Sequence, residues 1–254
     1  MKSTKADFYS MGSAQKRNRF GALQKLTKVA VGLRFFIGCL SVIRDPSKTD
    51  AVLRSAQGLI TEERFAPALN HLRSLPGADQ ILREKRLLPS MDLTRLKSYP
   101  SDSLGYVYSR HMEMNKLDPE FYDVDFSDDM TYVFYRYGKI HDLLHILTGF
   151  DTSIEGEIGL LSYSYAQNRG SGSLLTAVLG LLHGLLYKPK ELYQYASTFV
   201  AGWQMGRAGA PFFTLDWEWA LKQDVTEVRQ RLRLPNSSGG TNESIAPEAP
   251  PITA

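Results

Sequence analysis

Ser127–Glu157 reads SDDMTYVFYRYGKIHDLLHILTGFDTSIEGE, and the fold turns on how this stretch is parsed. Ser127 or Asp128 offers a side-chain oxygen to cap a helix, and Gly149 stands where the left-handed residue after a helix belongs. Between them the spacing predicts a helix over 130–148. Phe134, Leu143, Leu144, Ile146 and Leu147 occupy several of its faces, so it should be largely buried. A second helix is expected from Thr152 to about Gln167, with Thr152 and Glu155 forming a capping box.

This helical pair carries the polar groups of interest. His141 and His145 are four residues apart, one turn along a single face, the spacing at which two imidazoles can share a metal. Asp142 stands about 100° round the helix from His141, close enough to bind the same ion or to orient a ligand. Of the two acids on the second helix, Glu155 has a local role in the cap. Glu157 shares a face with Ile154 and Leu161 and is expected to point into the interior, with Gly156 permitting close helix approach. Two histidines and one carboxylate are a recurring metal set with open positions. The residues alone leave an alternative standing, a hydrogen-bonded core pair with Glu157 paired to Lys139 or Arg136. His71, His111 and His183 lack a partner at ligand spacing and read as structural.

Outward from this pair the chain stays helical. Leu23, Leu26, Ala30, Leu33, Ile37 and Leu40 recur at steps of three and four, an amphipathic helix over 20–43 that Asp45-Pro46 ends. Packing on its own domain is favoured over a membrane surface for this helix. Further helices are expected at 49–60, 63–75, 78–86 and from Tyr106 to about Leu117, with 89–104 as loop. Residues 170–187, GSGSLLTAVLGLLHGLLY, carry no formal charge. Their opening glycines and serines and the internal His183 favour a buried or lipid-facing helix over a membrane span. One more helix precedes Pro211 and a last runs from about Asp216 to Leu232.

Strand-like alternation is nearly absent, so the expected class is all-α: a mainly helical domain over 20–234, with an apolar cavity and a metal site between two helices. Residues 1–19 form a basic arm and 235–254 a disordered tail. The net charge of +3 conceals an uneven spread, because residues 1–45 carry nine basic and two acidic groups. That arm suits anionic lipid; without interleaved basic and aromatic residues, nucleic acid is not an expected partner. The single cysteine, Cys39, forms no internal disulfide and fits a reducing compartment.

His141, Asp142 and His145, then eleven residues and Glu157, together resemble the signature of the coenzyme Q biosynthesis protein 4 family. Arg136-Tyr137 before the motif, Gly156 beside the glutamate, and GWQMGRAGAPFFTLDWE over 202–218 are similar to that family's pattern. Gly138-Lys139 stands where the family usually has Arg-Glu, and Leu161 where it often has a basic residue. The resemblance implies a helical homodimer peripheral to a membrane, on the cytoplasmic side in bacteria or the matrix side of the mitochondrial inner membrane. It implies a divalent metal at His141, Asp142, His145 and Glu157, zinc favoured with magnesium or iron as alternatives, and a substrate contact at Arg136 and Tyr137. It also implies a long-chain isoprenoid or prenylquinone precursor as ligand and other quinone-biosynthesis enzymes as partners. The implied function is ubiquinone or related prenylquinone assembly, by oxidative decarboxylation of a prenylated ring. The alternative is a scaffold or lipid carrier. A metal-dependent phosphohydrolase is a weaker reading, resting on the His141-Asp142 pair with His111 and Asp216 as further ligands.

Overall fold

The computed structural model describes residues 33–46, 61–119 and 126–235. The basic arm, the expected helix at 49–60, the first part of the 20–43 helix and all but the first residue of the tail lie outside these ranges. The chain divides into two compact units, one ending at Thr61 and one starting at Glu62. In the first, residues 33–44 are helical and the helix stops at Asp45, as Asp45-Pro46 requires. Its row of Leu33, Phe36, Ile37 and Leu40 is exposed.

The second unit is built from helices, with no strand among the described residues and a single isolated bridge between Ser103 and Asp224. In order these are α1 (Glu62–Ser74), α2 (Ala78–Glu84), α3 (Leu93–Leu96), α4 (Leu104–Asn115), α5 (Asp129–Thr148), α6 (Ile154–Asn168), α7 (Ser171–Tyr187), α8 (Leu192–Ala208), a 3-10 turn (Phe212–Thr214), α9 (Trp217–Ala220) and α10 (Val225–Arg231).

The central helix α5 starts where its cap dictates. The Asp128 carboxylate accepts from the Thr131 amide, and the Thr131 hydroxyl accepts in return from the Asp128 amide. Gly149 closes the helix at φ 80°, a conformation that costs glycine nothing. Arg229 of α10 donates to the Leu147 carbonyl at 2.6 Å, bringing a positive charge to the negative end of the helix dipole.

α5 also joins two apolar cores. Its first turns place Tyr132, Val133 and Tyr135 against Leu69, Leu72, Ile81 and Leu82 of α1 and α2. Its later turns place Ile140, Leu143, Leu144 and Leu147 against Tyr108, Met112, Leu160, Phe212 and Trp217. Phe134 is not buried as its apolar character suggested: it is 40% exposed, its ring 5.2 Å from that of Phe65.

α6 packs along α8 and, less extensively, along α7. The α6–α8 seam depends on Gly202, since a Cβ there would come within 2.1 Å of the Gly159 carbonyl oxygen. α7 buries Ala177, Leu179, Gly180, His183 and Gly184 and leaves Leu185, Leu186 and Tyr187 more than half exposed. No helix among the described residues is long and apolar enough to cross a membrane. The apolar hollow beside it, about 300 Å³, is lined by Tyr165, Leu174, Phe199, Val200 and Trp203, so α7 contributes one residue to its wall.

Three expectations need correction. Ser153, not Thr152, caps α6: its hydroxyl accepts from the Gly156 amide, and Glu155 instead accepts from the Thr198 hydroxyl of α8 at 2.7 Å. The loop at 89–104 contains α3, which Asp92 caps by accepting from the Thr94 and Arg95 amides. The final helix is two pieces, because Asp216 and Asp224 each cap a start. Between them, the carbonyls of Leu221 and Gln223 turn away to accept from Gly105 and Leu104 at the head of α4.

Candidate metal centre

His141 and His145 project from α5 toward the first turn of α6, where Glu157 meets them. The Nε2 atoms of the two histidines are 3.2 Å apart. The Oε1 of Glu157 lies 3.1 Å from His145 Nε2 and 3.7 Å from His141 Nε2. Among the described residues these three groups converge with the geometry to hold a metal ion. Four ligands at bond lengths of about 2.0–2.2 Å in a tetrahedron stand about 3.3–3.6 Å from one another, so the observed triangle is close to one face of that figure.

Tautomer chemistry sharpens the fit. His145 Nδ1 lies 2.8 Å from the Phe150 carbonyl oxygen, which can only accept, so Nδ1 carries a proton. In neutral His145, Nε2 is therefore a lone pair, aimed at a carboxylate oxygen. Two acceptors at 3.1 Å repel unless a proton or a metal cation lies between them. The shift of each group follows. Burial pushes His145 down, yet the Glu157 carboxylate, the Phe150 carbonyl and Asp142 outweigh it and hold the imidazole above its ordinary 6.5. For Glu157, burial acts upward, and the hydrogen bonds and charges of His141 and His145 hold it well below the usual carboxylate range.

The site opens on one side. The His145 side chain is 2% exposed, that of His141 28% and that of Glu157 37%. Glu157 thus faces both histidines but is not sealed in the apolar interior that its helix face suggested, and one flank of the cluster remains within reach of solvent. Gly156 serves a different contact from the one expected of it: a Cβ there would strike the Asp151 carbonyl, so it allows the loop before α6 to fold back rather than two helices to approach.

The other residues marked in the sequence are placed as follows. Asp142 is half-buried and is not one of the three converging ligands; its charge acts on His145 and His111. Arg136 is buried in α5 and donates to the Phe213 carbonyl at 3.2 and 3.1 Å and to the Arg86 carbonyl at 3.3 Å. Its guanidinium also lies over the Phe213 ring. Tyr137 packs edge-on against Phe212, and burial pushes its hydroxyl far above the ordinary range. Lys139 reaches the Pro119 carbonyl at 3.5 Å. His71 meets the Gln167 carbonyl at 2.9 Å, and His183 stacks on Tyr187. Asp216, offered as a phosphohydrolase ligand, accepts from the Trp219 amide as the cap of α9. His111, read as structural, comes within the electrostatic reach of Asp142, His145 and His141. Its advance signals were its position on the helix preceding α5 and its place among the further ligands of the phosphohydrolase reading.

Fold and cluster together define an all-helical protein with a His, His, Glu group of metal-holding geometry at a helix junction. Residues 23–237 match the model of the coenzyme Q (ubiquinone) biosynthesis protein Coq4 family, and the chain belongs to that family. Relatives include the mitochondrial ubiquinone biosynthesis protein COQ4 of Meyerozyma guilliermondii, 30% identical over 68% of this chain and 58% of that protein. The corresponding protein of Clavispora lusitaniae is 30% identical over 78% of this chain and 63% of its own. The mitochondrial COQ4 homologue of Mus musculus is 31% identical over 64% and 62%. The chain thus matches about three fifths of the length of these relatives. A crystal structure of a putative ubiquinone biosynthesis protein from Nostoc punctiforme superposes with a TM-score of 0.70 over 79% of this chain and 97% of that one. At 24% identity it speaks to the fold alone.

Proposed function

We propose that this protein acts in the assembly of ubiquinone or a related prenylquinone, with His141, His145 and Glu157 holding a divalent metal and Asp142 assisting from α5. The observation that carries the reading is the committed lone pair of His145, fixed by Phe150 and facing a carboxylate oxygen across 3.1 Å. Such a pair is satisfied by a cation. Two imidazoles and a carboxylate suit zinc first, and magnesium or iron remain alternatives. A bound divalent ion would supply Lewis acidity at its open position. His145 is locked by its own hydrogen bond, and Glu157 leaves one flank accessible. The ligand would be a prenylated aromatic ring whose carboxylate or phenolate sits at the open position. The reaction proposed replaces the ring carboxylate by a hydroxyl: the carboxylate leaves as carbon dioxide, water supplies the hydroxyl oxygen, and dioxygen from solution takes the two electrons and becomes hydrogen peroxide.

The exposed apolar row of α7, Leu182, Leu185, Leu186 and Tyr187, supports a second reading. A scaffold or lipid carrier at a membrane surface would use such a row to meet lipid or partner enzymes. Two measurements separate the readings. Elemental mass spectrometry of purified wild type, His145→Ala and Glu157→Ala is expected to show stoichiometric metal in the first and its loss in both variants. Absence of metal in the wild type after reconstitution would overturn the metal reading. Incubation of the metal-loaded protein with a prenylated hydroxybenzoate in air-saturated buffer is expected to release carbon dioxide and the hydroxylated ring; no turnover with full metal occupancy and dioxygen present would leave the carrier role as the better account.

A further inference from the structure

His111 lies on α4, whose Tyr108 and Met112 share a core with Ile140 and Leu144 of α5. Its Nδ1 stands 3.4 Å from the side-chain nitrogen of Asn115, and that same nitrogen donates to the His111 carbonyl at 2.9 Å. The second bond fixes the amide, because an oxygen turned to that position would oppose a carbonyl oxygen. An amide nitrogen only donates, so Nδ1 accepts and the proton of the neutral ring sits on Nε2. Nε2 is buried and has no hydrogen-bond partner among the described residues. A buried N–H left unmet is costly, and such groups are rarely retained without something to answer them. The charged groups acting on this ring are Asp142, His145 and His141. Burial lowers its pKa, Asp142 acts the other way, and the two histidines add to the lowering. The net result keeps the ring a neutral donor.

We propose that His111 is a ligand-binding residue of the His141, His145 and Glu157 site, its Nε2–H donating to an anionic oxygen, carboxylate or phenolate, of the molecule held there. The inference rests on the metal reading above. His111 would complement that site: a metal held by His141, His145 and Glu157 would supply a Lewis acid for one oxygen of the head group, and the imidazole on the neighbouring helix would donate to another. It distinguishes a flat oxyacid from a neutral ring, which offers a weaker acceptor.

The test has two arms. In the first, nitrogen-15 NMR of histidine-labelled, metal-free wild type is expected to find His111 protonated at Nε2. A ring protonated at Nδ1 would overturn the proposal whatever the metal does. In the second, cobalt-substituted protein is titrated with benzoate and followed through the visible spectrum of the ion. His111→Phe is expected to keep its cobalt and bind benzoate about ten- to a hundredfold more weakly, the worth of one hydrogen bond to a charged group. His111→Gln, which restores an N–H, is expected to recover most of that affinity. Unchanged affinity in His111→Phe would overturn the donor role. So would loss of cobalt from it, which would make His111 a metal ligand instead. Failure of the wild type itself to take up cobalt sinks the metal reading and this role with it, while the NMR result still reports on the tautomer.

Discussion

The cation demand of the site resides in individual atoms. Phe150 fixes the His145 proton on Nδ1, and Glu157 then raises the affinity of Nε2 for whatever positive charge is present. In the metal-free protein that charge is a proton, and the signs can be worked out. His145 is raised above its ordinary 6.5, so its contribution to stability is full below that value and fades as pH rises through the higher folded value. Glu157 is lowered from its ordinary 4.5, so its contribution is full above that value and fades as pH falls through the lower folded one. The pair therefore stabilises the apo protein most between about 4.5 and 6.5. Thermal melts of apo wild type and Glu157→Gln should differ most in that window and converge at alkaline pH. With Glu157 37% exposed and screened by water, a difference of about 1 kcal/mol is expected, roughly 2–4 °C in Tm. A constant difference across pH would mean that the carboxylate acts by packing alone. A divalent metal is expected to follow the opposite trend, because a cation would compete with the proton for Nε2 and bind more tightly as pH rises. At this scale the sequence was informative about His141 and His145, which periodicity sets on one face of α5, and about the face of α6 that carries Glu157; that the two faces meet depends on the turn between the helices. It offered His111 only as a structural residue or a phosphohydrolase ligand, because its coming within the electrostatic reach of Asp142 depends on how α4 packs against α5.

At the scale of elements, local chemistry explains most starts and stops, and interhelical contact explains what local chemistry missed. Asp128, Thr131 and Gly149 frame α5 as read from the chain, because each acts within its own turn. Replacing Asp128 by alanine should cost about 0.5–2 kcal/mol in a denaturant titration, the worth of a cap, and leave metal content unchanged. Glu155 defied its local reading, since Ser153 took the cap and Thr198 of α8 offered a better partner. The last expected helix broke because Asp224 starts a new one and the head of α4 claims the carbonyls before it. Ser153 and Asp224 act within their own turns, but the partners that draw Glu155 and the carbonyls away, Thr198 and the head of α4, have no signal within a single turn. The seam between α6 and α8 is the most demanding of these long-range contacts. A methyl at Gly202 would overlap the Gly159 carbonyl, which is backbone and cannot rotate away. Gly202→Ala is thus expected to lose at least about 1–3 kcal/mol, the penalty of overpacking, although alanine is the better helix former. Because α6 also carries Glu157, the separation of the helices that relieves the clash should weaken metal binding too. A variant as stable as wild type would show that the helices can part without cost.

At the scale of the whole molecule, the parts that make the site are concentrated in one unit. Both apolar cores are drawn from residues at or beyond Phe65, and every ligand of the candidate centre, with His111 and Asp142, lies beyond Glu62. The first unit contains a helix whose Leu33, Phe36, Ile37 and Leu40 are exposed. The helical class was legible from periodicity, but this division was not, because the helical pattern and its punctuation run on across Thr61 without a change of composition. If the cores are the source of stability, a fragment spanning residues 62–235 should fold without the rest. Apolar burial is the largest favourable term in folding, and the fragment keeps all of it that these two clusters represent. It is expected to melt cooperatively by circular dichroism, with a Tm within a few degrees of the full chain, and to take up as much metal per mole by elemental mass spectrometry. Vesicle flotation on anionic lipid adds a contrasting readout, because removing the basic arm and the exposed row together should abolish binding if those segments carry it. A fragment that fails to fold would show that the first unit completes the core. One that folds, holds metal and still floats would place the membrane contact on the exposed face of α7, where Leu185 and Leu186 already meet solvent.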